Sequence, residues 1–169
     1  RRAPNFGYNR VLVGLLTAFL FLCVQPAQAA QSQKVKVAFL ADQSLSADAR
    51  EVLRLVKQEG ADLIINQGDF DYEDDPAAWE KMHTDILGGS FPMFAALGNH
   101  DVKAWKGYVQ KLDERLKRIP GASCTGQIGL QAVCTYRGLS MVFGAVALGT
   151  PYKDEEFFQR QAAALNVNY

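Results

Sequence analysis

Asp62-Leu63-Ile64-Ile65-Asn66-Gln67-Gly68-Asp69-Phe70-Asp71-Tyr72, residues 62–72, runs from a nearly uninterrupted apolar segment into a glycine followed by acids and a phenol. An apolar run of that length, rich in β-branched residues and bounded by turn formers, is a strand buried on both faces. Strands of this kind belong to parallel sheets covered by helices. The Gly-Asp that follows places a carboxylate at the carboxyl end of the strand, the edge at which open α/β sheets bind ligands.

Working outward, the same grammar repeats on either side. Upstream, Val35-Lys36-Val37-Ala38-Phe39-Leu40-Ala41 is a strand that closes on Asp42-Gln43-Ser44. A helix from Ser46 to Glu59 follows, with Ser46 as its cap and Val52, Leu53, Leu55 and Val56 spaced on one face, before Gly60 ends it. Downstream, Glu73-Asp74-Asp75-Pro76 reads as a helix start, since acids suit the positive end of the helix dipole and Pro needs no donor in the first turn. That helix continues through Trp79, Met82 and Ile86 to Gly88-Gly89. Phe91 to Leu97 gives a third strand, closing on Gly98-Asn99-His100-Asp101. A helix over 104–119, strands over 131–137 and 139–148, and a short helix over 154–165 complete the order.

Asp42, Asp69 and the Asn99-His100 pair thus stand just after three strands, about 30 residues apart, which is the length a βαβ unit needs to return to the same edge. A lone Gly-Asp after a strand is an ordinary turn. Three such loops converging on one edge form a candidate metal site, in which Asp69 can bridge two cations through its two oxygens and Asn99 can ligate through its carbonyl oxygen.

The chain opens with Arg1, Arg2 and Arg10, an uncharged apolar run over 11–24, and Ala27-Gln28-Ala29. This is the layout of a secretory signal cut after Ala29, leaving residues 30–169 as one domain, secreted or periplasmic, with no stable membrane anchor. An uncleaved anchor helix and a lipid on Cys23 are the competing expectations. Beyond residue 29 the chain has 15 Lys and Arg against 18 Asp and Glu, so no nucleic-acid partner is expected. The one basic cluster, Lys111 to Arg118, is interleaved with acids and reads as a solvated helix face. Cys124 and Cys134 suit a disulfide pinning a hairpin in an oxidising compartment.

The ordered set Asp42, Gly68-Asp69 and Gly98-Asn99-His100-Asp101 resembles the calcineurin-like metallophosphoesterase superfamily, and Gly68-Asp69-x-x-Tyr72 resembles its purple acid phosphatase branch. The resemblance implies a four-layer α-β-β-α sandwich. It also implies two metal ions, iron with zinc, manganese or a second iron, held by Asp42, Asp69, Tyr72 and Asn99. A hydroxide bound between the metals would attack a phosphate ester, while His100 serves the leaving group and Asp101 orients His100. Ser44 stands where the commonest form of the superfamily has a histidine, and a Tyr72 ligand would compensate. Gln43 could line the substrate pocket.

Family members draw further histidine ligands from downstream loops, whereas this chain has only His83 and His100. His83, within the helix over 76–87, reads as a surface residue. The expectation is therefore a C-terminally incomplete catalytic domain, weakly active or inactive by itself, from a phosphoester hydrolase. The alternatives are a non-catalytic binding or scaffold protein that keeps the fold, and a nuclease or phosphodiesterase of the same superfamily.

Overall fold

The computed structural model describes residues 34–145 and 154–164. The signal segment, its cut after Ala29, Cys23, and the ends of the last strand and helix (residues 146–148 and 165) lie outside the described residues.

Within them the fold is mixed α/β. Strands β1 (Val37–Leu40), β2 (Leu63–Asn66) and β3 (Met93–Ala95) form a parallel sheet in the order β1-β2-β3. The connections are α1 (Ala47–Gln58) and α2 (Pro76–Leu87). A 3-10 turn at Asn99–Ala104 leads into α3 (Trp105–Leu116). Strands β4 (Ser123–Gln127), β5 (Gln131–Tyr136) and β6 (Leu139–Gly144) make a separate antiparallel sheet, and α4 (Asp154–Ala164) follows.

The alternation of side chains along the parallel strands divides the interior in two. Ala38, Ile64, Met93 and Ala95 face α1, α2 and α3, meeting Leu53, Val56, Trp79, Met82, Tyr108 and Leu112. Val37, Leu63, Phe94 and Ala96 face the other way and pack with Ala132, Cys134, Met141 and Phe143 of the second sheet. A central strand buried on both faces needs apolar residues at consecutive positions, which is what Leu63-Ile64 supplies.

The helix ends follow their local chemistry. Ser46 Oγ accepts from Ala49 N–H at 3.2 Å and Asp75 Oδ1 accepts from Ala77 and Ala78 N–H, so each cap satisfies donors left over by the first turn. Gly88, at φ +101°, ends α2. The strands are shorter than their apolar runs because side chains and the second sheet intervene. Lys36 N–H is taken by Asp62 Oδ2 at 2.8 Å before β1 begins. Beyond β3, Ala96 bridges Gly129, and Leu97 N–H donates to Gly129 carbonyl at 2.8 Å, so the chain leaves the first sheet by pairing with the turn between β4 and β5. Cys124 and Cys134 sit opposite each other on β4 and β5 and are disulfide-bonded.

Two surface assignments are corrected. His83 is fully buried: its ring packs 4.8 Å from that of Trp79, four residues earlier, and Nδ1 bonds Trp79 carbonyl at 2.9 Å. It lies one position beyond Met82 on the helix face that Trp79 turns inward, and a helix packed on two neighbours buries a stripe wide enough to include it. In the Lys111 to Arg118 cluster, Lys117 and Arg118 are exposed, but Arg115 is fully buried. Its guanidinium forks onto Glu80 at 3.0 and 3.1 Å and also donates to Thr84 Oγ1 and the carbonyls of Gly88 and Phe91. A buried cation persists only when its donors are satisfied in this way.

Candidate functional site

The carboxyl edge of the parallel sheet gathers the three motif loops. Loop one leaves β1 at Asp42 and is laced to loop two through the main chain: Asp42 N–H donates to Gly68 carbonyl at 3.2 Å and Gln43 N–H to Asp69 carbonyl at 2.9 Å. Behind them, buried Asn66 at the end of β2 donates to Gln43 Oε1 at 2.9 Å and accepts Gly68 N–H at 3.0 Å. Gln43 is itself buried, and its Nε2 has no hydrogen-bond partner among the described residues. A cavity of about 250 Å³ opens beside Asp42, lined also by Gln43, Ser44, Ser46 and Asp48.

Loops two and three touch through glycine. A Cβ on Gly68 would lie 2.6 Å from Gly98 Cα, and one on Gly98 would lie 2.5 Å from Asp69 N, so the Gly of each motif is required by the other's backbone. Asp69 Oδ1 accepts His100 N–H at 3.0 Å. Asp101, nearly inaccessible, accepts Asp69 N–H at 2.9 Å and Gly98 N–H at 2.7 Å on Oδ2, and Phe70 N–H at 2.9 Å on Oδ1. Burial pushes the Asp101 carboxyl up, and the three amides pull against that. Both Asp101 oxygens thus clamp loop two to loop three, and among the described residues no hydrogen bond joins Asp101 to the His100 ring.

Tyr72 completes the group. Its hydroxyl donates to Asp42 Oδ1 at 2.8 Å and its ring lies 4.7 Å from that of His100. The bond to Asp42, with desolvation and the negative charges of Asp42, Asp69 and Asp101, leaves the phenol pushed up to about 12. The residues singled out in the sequence are therefore neighbours: Asp42 touches Tyr72, Tyr72 touches His100, and Asp69 holds the His100 backbone. Asn99, exposed, begins the 3-10 turn beside them.

Asp42, Asp69 and Tyr72 all adopt left-handed backbone, at φ +49°, +55° and +60°. Asp74 and Arg137 share this conformation; Asp adopts it readily, whereas for a bulky residue such as Tyr72 it is uncommon and is held by the surrounding structure. Among the described residues no three His, Cys, Asp or Glu side chains gather around one point. The donors on offer are two carboxylates, a phenol and an amide carbonyl. That all-oxygen set fits hard cations and suits soft ones poorly.

Sequence reading missed Asp71 and Tyr108. Tyr108, on α3, donates its hydroxyl to buried Asp71 Oδ1 at 2.6 Å, and burial together with that bond pushes the phenol up. A buried Tyr needs a partner for its hydroxyl, which is the signal that could have been used.

Residues 36–163, more than half of the chain, match the family model described as calcineurin-like phosphoesterase. No curated protein and no solved structure gives a significant match.

Proposed function

The chain belongs to the calcineurin-like phosphoesterase family, and from that premise we propose an exported, metal-dependent phosphoester hydrolase of acid-phosphatase type, in the purple acid phosphatase branch and the four-layer form of the fold. Asp42 and Tyr72 would hold one cation, Asn99 the other, and Asp69 both. Two cations, when bound, would supply Lewis acidity at phosphorus and lower the pKa of a water so that hydroxide is available as the nucleophile.

The chain's own residues do the rest. Asp69 is fixed by His100 N–H on Oδ1 and by the Asp101 clamp on its amide, so its carboxylate is held before any ligand arrives. His100, exposed and braced by the Tyr72 ring, in its protonated imidazolium form donates to the phosphate oxygen and then passes that proton to the leaving alkoxide, ending as neutral imidazole. Gln43 lines the cavity beside Asp42 and contributes to substrate contact.

The observation that carries this reading is the meeting of the three motif loops on one sheet edge, with the Tyr72 hydroxyl on Asp42 Oδ1 and His100 N–H on Asp69 Oδ1. Because Asp42, Asp69, Tyr72 and Asn99 are too few to fill the coordination of two cations and bring no nitrogen ligand to the second, the 169-residue chain should hold cations weakly and hydrolyse slowly. Calorimetric titration with iron, zinc and manganese, paired with hydrolysis of an aryl phosphate, tests it. Cation binding that weakens more than about tenfold in Asp69→Asn supports the site. Unchanged cation binding in that variant overturns it.

A further inference from the structure

We propose that Tyr108 and Asp71 form a positioning pair, a buried hydroxyl–carboxylate tie from α3 that sets where the Tyr72 phenol stands. The pair lies one layer beneath the working loop. Both residues are nearly inaccessible and their bond is 2.6 Å long, within the range of a charge-assisted O–H···O contact.

Asp71 does more than receive that hydroxyl. Its Oδ1 also accepts Glu73 N–H at 2.9 Å and its Oδ2 accepts Asp75 N–H at 3.2 Å, so the residue just before Tyr72 gathers the chain just after it. Asp75 in turn caps α2. Tyr72 therefore sits at the apex of a loop whose base is Asp71, in a left-handed conformation at φ +60° that an isolated tyrosine would avoid. With Asp71 fixed, the side chain of Tyr72 is turned out to meet Asp42 Oδ1 and the His100 ring.

The tie has a counterpart running the other way. Asp101, from the loop that begins the 3-10 turn before α3, reaches back to the amides of Asp69 and Phe70. Tyr108, one turn into α3, reaches the next residue, Asp71. Loop two is thus held at three successive positions by side chains from one segment. Asp101 sets Asp69, and Tyr108 sets Tyr72.

The proposal rests on reading Tyr72 as a working residue of the site, but its test needs neither metal nor substrate. The chain has two histidines, so the ring-proton resonances of His100 and buried His83 are readily separated. The ring current of Tyr72, 4.7 Å away, acts on His100. In metal-free protein at one mildly alkaline pH, Tyr72→Ala fixes the full displacement of the His100 signal. Tyr108→Phe, which removes only the hydroxyl, should move that signal in the same direction by more than half as much, with thermal unfolding confirming a folded chain. A His100 signal that moves by less than half of that displacement, or the other way, in folded Tyr108→Phe overturns the proposal, because a hydroxyl needed for stability alone would lower the melting temperature without moving Tyr72. If Tyr108→Phe does not fold, Asp71→Asn read on the same resonance decides by the same criterion. Failure of the hydrolase reading leaves this outcome untouched, since no catalytic measurement enters it.

Discussion

The Tyr72 hydroxyl and Asp42 Oδ1 lie 2.8 Å apart, a phenol and a carboxylate sharing one proton across two loops that are 30 residues apart in sequence. The bond stabilises the protonated phenol, which is why Tyr72 ionises only at about 12 instead of 10. Asp42→Asn removes the charge and should bring Tyr72 down toward 10, read as the phenolate absorbance that Tyr72→Phe abolishes. An unchanged titration would mean the two side chains do not meet in solution. The same proton is what a cation held by both oxygens would displace, so metal uptake through Tyr72 should release acid.

How much of this was legible in the sequence depended on whether a signal was local. The parallel strands, the Ser46 cap, the acidic, Pro-containing start of α2 and the Gly88 stop follow from periodicity and capping chemistry within a few residues, and the structure has them. The convergence of Asp42, Asp69 and the 99–100 pair was readable from βαβ spacing. What escaped was decided by tertiary packing. His83 lies at the edge of the stripe set by Trp79 and Met82, so its burial depends on how wide a face α2 packs, and Arg115 is buried through Glu80 on another helix. Strand β4, rich in small and polar residues, lacks an apolar alternation and is held by its pairing with β5 and the Cys124–Cys134 bond. Asp101 was readable as a site residue but not as a clamp, because its three amide donors come from two loops.

The Gly68–Gly98 approach makes a steric prediction. Gly98→Ala would drive a methyl group into the Asp69 backbone, and the two loops must separate to admit it. Gly68→Ala adds a left-handed backbone, at φ +106°, to a comparable clash. Each should cost about 2–3 kcal/mol in denaturant unfolding and weaken the Asp101 clamp. Gly60→Ala, where a Cβ meets nothing but the backbone is also left-handed, serves as the control for conformational cost alone.

Burial of His83 sets a pH window. Desolvation lowers its pKa from 6.5 to about 4, with the Arg115 charge acting in the same direction against the bond to Trp79 carbonyl. Above 6.5 the ring is neutral folded or unfolded, and its contribution is fully present. As pH falls from 6.5 toward 4 the unfolded chain binds a proton that the folded chain refuses, so stability declines. Between pH 7 and 5 the loss attributable to His83 is about 2 kcal/mol. The melting temperature of His83→Leu should therefore fall less over that interval than that of the wild type. Parallel declines would place His83 in contact with water.

His100 gives the prediction closest to chemistry. In the proposed reaction its imidazole passes a proton to the departing oxygen, and the need for that proton grows with the basicity of the alcohol. An aryl leaving group departs readily as a phenolate, whereas an alkyl leaving group needs the acid. His100→Gln retains a donor for the phosphate but has no proton to transfer, so hydrolysis of an alkyl phosphate should fall about 10²–10⁴-fold, with a much smaller loss for a nitrophenyl ester. Equal losses on both substrates would assign His100 to phosphate binding alone. In that case the Tyr72 ring, 4.7 Å from the imidazole, braces a phosphate-binding group instead of a proton donor.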